Sequence, residues 1–163
     1  MDTFFDDWSF LSQLTLVLFL LALSGFFSMA ETSMLSSNRH RLRAMANGGN
    51  TGAALAERLL KRIDSLLSVL LISNNLINTV LPILVTGIAL HIFGESGFVL
   101  SIATLLVAFL IIVFSEITPK VIGAAFPEKI ASNIGWFILP LTFIFKPLLW
   151  FINSFVSGLM KVF

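Results

Sequence analysis

Three groups of polar residues stand inside long apolar stretches of this sequence, and their residue types suit the binding of a hard cation. The groups are Ser24, Ser28 and Glu31; then Asn74, Asn75 and Asn78; then Ser115, Glu116 and Pro119. Burying such oxygen-bearing groups in lipid without a partner costs several kcal/mol. Their presence therefore indicates that something polar is handled within the membrane.

The first group occupies one face of a helix, because Ser24 and Ser28 are four residues apart and Glu31 follows three residues later. Gly25 lies beside them and would permit the close approach of a second helix. Two serines alone favour a structural explanation, since serines in membrane helices often bond back to carbonyls of their own helix.

The second group is a set of three asparagines within five residues. Asn74 and Asn78 can share a helix face, and so can Asn75 and Asn78. Interhelical hydrogen bonds, worth about 0.6 kcal/mol each in membrane bundles, are one explanation of such asparagines. Three asparagines within five residues are more than this explanation needs. Pro82 has no N–H for the carbonyl of Asn78, which must then find a neighbour, a water or an ion.

The third group ends an apolar run. Pro119 frees the carbonyl of Ser115, next to the carboxylate of Glu116. An equally good explanation of Glu116 is an ion pair with Lys120 four residues later, near the cytoplasmic interface.

Three apolar runs position these groups, over residues 8–30, 65–92 and 98–118. Each reaches the roughly 20 residues that a membrane helix needs. The 163 residues are 57% hydrophobic and 12% charged, against roughly 25% charged in soluble domains. Residues 1–163 are therefore predicted to form a single all-α transmembrane domain. The leader is acidic rather than basic, so the first run is interpreted as a retained span and not a cleaved signal peptide.

The basic residues set the expected topology. All ten lie within 39–62 or 120–161, which places 31–64 and the C-terminus in the cytoplasm, and the N-terminus and the Glu95 turn outside. The expected location is a cell (inner) membrane. Residues 53–63 are predicted to form an amphipathic helix that leads into the second span.

Residues 130–160 allow two interpretations. A lysine at the centre of a spanning helix costs about 2.5–3.5 kcal/mol, and Lys146 lies mid-run beside Pro147. We therefore predict broken juxtamembrane helices along the cytoplasmic membrane surface, anchored by Trp136 and Trp150. A fourth span is the alternative.

The three spans bring the polar groups to a similar depth. At 1.5 Å per residue, Ser24 lies about 24 Å from Trp8, Asn75 about 15 Å into the second span and Glu116 about 27 Å along the third. All can meet in the inner half of the bilayer as an all-oxygen set, which Mg²⁺ prefers. The set does not separate Mg²⁺ from Na⁺ or Ca²⁺.

Composition excludes several other classes. There is no cysteine, and the net charge of +1 gives no basic field for nucleic acid. His40 and His91 are far apart in the predicted topology, so neither a zinc site nor a histidine-assisted serine nucleophile is expected. The chain is not expected to be an enzyme.

At these residues the sequence resembles the transmembrane domain of the CorC/cyclin-M (CNNM) family of magnesium transporters. The similarity covers about residues 8–160 and is carried by three motifs in order: 24–31 (SGFFSMAE), the pair at 74–75 (NN) and 116–120 (EITPK).

The resemblance implies three membrane helices with a belt of cytoplasmic-side juxtamembrane helices, assembled as a homodimer in lipid. It implies alternating-access export of Mg²⁺ in exchange for Na⁺. The implied Mg²⁺ ligands are Ser24, Ser28, Asn75 and Glu116. Secondary candidates are Asn74, Asn78, Glu31, Ser115 and Pro119. Family members continue into a cytoplasmic CBS pair, which this chain does not include.

A second hypothesis needs no transport. The domain would be a dimeric membrane anchor or sensor module for cytoplasmic regulatory domains, and its asparagines and serines would only join helices.

Overall fold

The computed structural model describes residues 2–94 and 97–160, which are helical with short breaks and contain no strand. The α-helices are α1 (Asp2–Ser36), α2 (Arg39–Asn47), α3 (Thr51–Leu60), α4 (Ile63–Phe93), α5 (Gly97–Ile111), α6 (Thr118–Ala125), α7 (Pro127–Ile144) and α8 (Lys146–Met160). A π-helical segment, Ile112–Ile117, joins α5 to α6. The prediction of an all-α protein is confirmed.

Within residues 2–94 and 97–160, three helical stretches are long and apolar enough to cross a membrane: Phe10–Ser36, Ile63–Ile92 and Leu100–Ala125. The third combines α5, the π segment and α6. Their number matches the three predicted spans, and by length and composition the described part of 130–160 does not add a fourth. The break between α4 and α5 falls where the outer turn was predicted, although Glu95 lies outside the described residues.

Several helix boundaries differ from the prediction. The third span, predicted to end at residue 118, continues through α6 to Ala125. The first helix continues beyond Ala30 to Ser36, because the polar residues after Ala30 include neither proline nor glycine to stop it. It is followed by Asn38, whose side chain accepts hydrogen bonds from the backbone of His40 and Arg41 and so caps α2. The predicted amphipathic helix at 53–63 ends earlier, at Leu60.

The last third is broken as predicted. The chain leaves helix α7 at Phe145, and α8 starts at Lys146, followed by Pro147. A proline at the beginning of a helix loses no intrahelical hydrogen bond. The location of α7 and α8 along the cytoplasmic membrane surface stays a prediction, as do the single-domain organisation and the homodimer.

The described contacts divide the chain into two compact units. Unit 1 comprises residues 1–29 and 73–122, and unit 2 comprises 30–72 and 123–163. Unit 1 contains the serine, asparagine and glutamate motifs except for Glu31.

Unit 2 packs α3 against α7 through small residues. Gly52, Ala53 and Ala56 of α3 are buried, as are Ala131 and Ser132 of α7. A Cβ added at Gly52 would overlap the backbone carbonyl oxygen of Ser132. The two backbones are therefore as close as small residues permit, which increases the van der Waals contact between the helices.

Candidate functional site

A buried hydroxyl in unit 1 meets two amide side chains. The Oγ of Ser24 lies 3.0 Å from Oδ1 of Asn74 and 2.7 Å from Oδ1 of Asn78. Ser24 is fully buried and Asn74 is nearly so. The asparagines are four residues apart on α4, so one helix face presents both to Ser24 of α1. We call these three residues the hydroxyl–amide cluster.

The hydroxyl–amide cluster has more acceptors than donors in this arrangement. The hydroxyl of Ser24 has one proton, and both amide oxygens approach it. Three oxygen atoms of α1 and α4 therefore gather around one hydrogen, at a hydroxyl that is fully buried. Neutral oxygens gathered in this way can also coordinate a hard cation.

One turn further along α1, Ser28 makes the second contact of this helix face. Its buried Oγ donates to the backbone carbonyl oxygen of Glu116, at 3.3 Å. This carbonyl belongs to the π segment. The two serines of the first motif thus contact residues of the second and third motifs. Hydrogen bonds back to carbonyls of their own helix would not account for these contacts.

The π segment changes the hydrogen bonding just before Pro119. The N–H of Thr118 reaches the carbonyl of Val113, five residues back. Pro119 has no N–H, so it serves neither Ser115, four residues back, nor Phe114, five back. Single π turns of this kind occur frequently at functional sites.

Gly25 fits closely against this irregular turn. A Cβ at Gly25 would lie 3.2 Å from Cγ of Pro119 and 3.5 Å from the carbonyl oxygen of Phe114. The absence of a side chain therefore allows α1 to approach the π segment, as the sequence indicated.

A cavity of about 250 Å³ lies beside the hydroxyl–amide cluster in unit 1. Asn78, Ser115 and Glu116 contribute to its lining, together with apolar side chains of α4 and α5. Ser115 is buried, and its Oγ has no hydrogen-bond partner among the described residues. The cavity thus combines a carboxyl-bearing residue, an amide and an unpaired hydroxyl.

The carboxylate of Glu116 is paired with Lys120. Oε1 of Glu116 lies 2.8 Å from Nζ of Lys120, and both side chains are nearly half exposed. This is the ion pair that the sequence offered as an alternative. It coexists with the contribution of Glu116 to the cavity, so a cation that binds the carboxylate must compete with the ammonium group of Lys120.

Asn75 and Glu31, both predicted site residues, lie outside both the hydroxyl–amide cluster and the lining of the cavity. The side chain of Asn75 is exposed, and its backbone carbonyl accepts a hydrogen bond from Oγ1 of Thr79 at 2.8 Å. Glu31 belongs to unit 2 and is partly buried. The roles implied for both by the family resemblance stay predictions.

Two polar residues that the sequence analysis did not consider also line the cavity, Thr86 and Thr104. Thr86 could have been found, since it continues the four-residue spacing of Asn78 and Pro82 along α4. Thr104 stands alone in an apolar run and gives no such signal.

No group of three or more histidine, cysteine, aspartate or glutamate side chains comes together in the described part of the chain. A cation beside the hydroxyl–amide cluster would therefore depend mainly on neutral oxygens, with Glu116 as the acidic residue that lines the cavity. Three helical stretches long and apolar enough to cross a membrane, with polar side chains buried between them, define a multi-pass membrane protein.

Comparison with known proteins identifies the family. A family model described as the cyclin M transmembrane N-terminal domain matches residues 15–163. The chain belongs to this family, which confirms the resemblance found from its three motifs.

Three relatives illustrate the range of the family. A UPF0053 protein of Haemophilus influenzae is 42% identical over 153 residues, covering 93% of this chain and 36% of the relative. The UPF0053 inner membrane protein YfjD of Escherichia coli is 39% identical over 140 residues, covering 86% and 32%. A polyamine export protein of Salmonella typhimurium is 27% identical over 178 residues, covering 94% and 37%. The chain therefore spans about a third of the length of these relatives.

Proposed function

We propose that this domain exports Mg²⁺ from the cytoplasm in exchange for Na⁺, by alternating access around the oxygen groups of unit 1. The observation that carries the proposal is the hydroxyl–amide cluster, in which two amide oxygens lie within 3.0 Å of one buried hydroxyl. The family membership supports a transmembrane role, and the cavity beside the cluster gives space for an ion.

The proposed site replaces water with fixed oxygens. Mg²⁺ gives up water reluctantly and requires near-octahedral oxygen ligands. Ser24 and Ser28 would supply hydroxyls, and Glu116 would supply the negative charge that attracts the ion. The amide oxygen would come from Asn75, as the resemblance implies, or from Asn74 and Asn78, which lie next to Ser24 in this structure.

Two helix irregularities support a change of access. Pro82 interrupts the hydrogen bonding of α4, and the π segment interrupts it before α6. Helices bend most readily at such positions. Carbonyls that lack an intrahelical donor could coordinate the ion in one conformation of the transporter. In the other conformation, water or protein groups would donate hydrogen bonds to them.

Polyamine export is a second candidate, favoured by the cavity. An alkyl polyamine has ammonium groups separated by apolar chain. The cavity has a carboxyl-bearing residue, Glu116, and apolar walls that include Val85, Val107 and Ile111. The ammonium of Lys120 on Glu116 is itself an example of the pairing that a polyamine would make. The Salmonella relative named as a polyamine export protein supports the same candidate.

The anchor hypothesis remains the alternative to both. It is supported by the length of the relatives, which extend well beyond the matched region. As an anchor or sensor, the domain would form a homodimer and use its polar groups only to join helices.

One experiment separates these functions. The thermal unfolding of the purified chain would be followed in detergent with Mg²⁺, Ca²⁺, Na⁺ or spermidine, since a ligand that binds only the folded state stabilises it. Mg²⁺ transport predicts stabilisation by Mg²⁺ that is lost in Ser24→Ala and Glu116→Gln. Polyamine export predicts stabilisation by spermidine that depends on Glu116, and the anchor predicts no specific effect.

Variants of the asparagines identify the amide ligand. If Asn74→Ala removes the Mg²⁺ effect and Asn75→Ala preserves it, the hydroxyl–amide cluster is the site. The reverse result would support the ligand set implied by the family resemblance. Ser101→Ala is a matched control, because the Oγ of Ser101 only bonds back to Gly97 on an exposed helix face.

A further inference from the structure

Unit 2 contains a basic pocket of about 380 Å³ where two helix junctions meet. Arg58 and Arg62 come from the α3–α4 junction, and Lys146 is the first residue of α8. All three side chains are exposed. Their charges are thus brought to one place from parts of the sequence that are more than eighty residues apart.

The positive charge of this basic pocket is not neutralised within the described structure. Neither arginine nor Lys146 forms an ion pair with a described residue. Glu57, the nearest acidic residue on α3, is occupied by Arg43 at 2.9 Å and Lys61 at 3.9 Å. Asp64 lies in the first turn of α4 but is not part of the pocket lining. The pocket therefore favours an anion.

Helix geometry adds donors to the same pocket. The first backbone bonds after the junctions run from Leu66 to Arg62 and from Leu149 to Phe145. Earlier N–H groups of α4 and α8 therefore have no partner within their own helix. Ser65, which lines the pocket, is among these residues of α4. Unpaired N–H groups at a helix start suit a phosphate group.

Apart from Thr142, the remaining lining residues are apolar. Leu59, Leu66 and Leu149 form buried parts of the lining, and the side chain of Phe143 is 65% exposed next to them. Trp150, four residues after Lys146, is 72% exposed. An occupant that matches the basic pocket therefore has both an anionic group and an apolar portion, which a free phosphate ion does not have.

We propose that the basic pocket binds an anionic membrane phospholipid, with its phosphate between Arg58, Arg62 and Lys146 and its acyl chains along Phe143 and the adjoining apolar surface. The pocket lies at the beginning of the candidate span Ile63–Ile92, which is the depth of lipid headgroups. Basic pockets at the cytoplasmic ends of membrane helices bind anionic headgroups in this way. The site lies entirely in unit 2 and does not depend on which substrate is transported.

The test measures lipid binding by the full 163-residue chain with native mass spectrometry, using phosphatidylglycerol and phosphatidylcholine. Each Lys or Arg contributes about a fivefold gain near an anionic headgroup, so three contribute on the order of 100-fold. We expect the triple variant Arg58→Gln, Arg62→Gln, Lys146→Gln to lose about that factor in affinity for phosphatidylglycerol. Its binding of phosphatidylcholine should not change.

The matched control removes three charges elsewhere in unit 2, as Arg39→Gln, Arg41→Gln, Lys129→Gln. It should retain nearly all of the affinity for phosphatidylglycerol. Equal losses in the two triple variants would overturn the proposal, because they would show a general charge effect. An unchanged affinity in the pocket variant would overturn it as well.

Two further measurements identify the anion. Inorganic phosphate and glycerol phosphate should not displace the lipid at matched concentrations; if either binds as tightly as the lipid, the basic pocket serves a soluble anion and the lipid assignment is wrong. Single variants show whether the triple variant loses binding only because it misfolds. Lys146→Gln should weaken phosphatidylglycerol binding about fivefold, and Lys146→Arg should restore it.

Discussion

Replacing Ser24 by alanine removes one oxygen atom from the centre of the hydroxyl–amide cluster and leaves the surrounding volume nearly unchanged. An interhelical hydrogen bond in a membrane bundle contributes about 0.6 kcal/mol on average and at most about 1.7 kcal/mol. Leaving a buried polar partner unsatisfied costs about 1–3 kcal/mol. Because both Asn74 and Asn78 lose their contact with the hydroxyl, we expect Ser24→Ala to lower the free energy of unfolding by about 1–3 kcal/mol.

The response to Mg²⁺ distinguishes an ion site from simple helix contacts. At an Mg²⁺ concentration 100 times the dissociation constant, binding raises the free energy of unfolding of the wild type by about 2.7 kcal/mol. If Ser24 is a ligand, the alanine variant should lose most of this increment in addition to its intrinsic destabilisation. If the hydroxyl only joins helices, the variant should be less stable but should keep the Mg²⁺ increment.

The assay is equilibrium unfolding in mixed micelles, with and without Mg²⁺, for Ser24→Ala, Asn78→Ala and the double variant. Together with the wild type these variants form a double-mutant cycle, which gives the coupling free energy between the two side chains. Ser101→Ala serves as the control for serine removal. Independent sites are additive within about 0.3–0.5 kcal/mol. A coupling below that limit, together with an unchanged Mg²⁺ increment in Ser24→Ala, would refute the assignment of this cluster as a site.

Three other substitutions test packing and capping in unit 2 and the ion pair of Glu116 in unit 1. Gly52→Ala should lower the free energy of unfolding by at least about 1–3 kcal/mol, because its Cβ would overlap the carbonyl of Ser132; denaturant titration measures this. Asn50→Ala removes the N-cap of α3 and should cost about 1 kcal/mol in the same assay. Lys120→Met should leave stability nearly unchanged and, if Glu116 binds Mg²⁺, raise Mg²⁺ affinity by up to about fivefold, since the exposed ion pair contributes about 0–1 kcal/mol; calorimetry measures the affinity.

Each of these has its own control. Gly135→Ala places its Cβ 3.5 Å from the nearest atoms of α3, an ordinary contact, so it should be more stable than Gly52→Ala; equal stabilities would contradict the close packing of α3 and α7. Asn50→Asp retains an acceptor and should behave like the wild type. An Mg²⁺ affinity that does not rise in Lys120→Met would argue against competition for the carboxylate.

The arrangement of spans was largely predictable because it follows from hydrophobicity and length. The apolar runs gave three membrane helices, and Lys146 beside Pro147 gave the break that is seen at Phe145. The end of α1 was less predictable, since Glu31 and the residues after it are polar but can all continue a helix. Nothing in their composition stops α1 before Ser36.

The site was predictable in its residue types but not in its pairings. Helical spacing allowed either Asn74 or Asn75 to share a face with Asn78, and only the packing of unit 1 turns Asn74 and Asn78 towards Ser24. The π segment likewise has no signature in sequence apart from Pro119. Its hydrogen bond from Thr118 to Val113, five residues back, is not specified by the helix propensity of any single residue.

The most direct test of the proposed function is ion movement through this chain in liposomes. Vesicles loaded with Mg²⁺ would be diluted into buffer with and without Na⁺, and Mg²⁺ release would be followed with an external indicator, beside a parallel arm loaded with spermidine. The proposal predicts Mg²⁺ release that requires external Na⁺ and is abolished by Ser24→Ala and by Glu116→Gln, but not by Ser101→Ala. Mg²⁺ release no faster than from protein-free vesicles would contradict it, and release of spermidine alone would assign the domain to polyamine export.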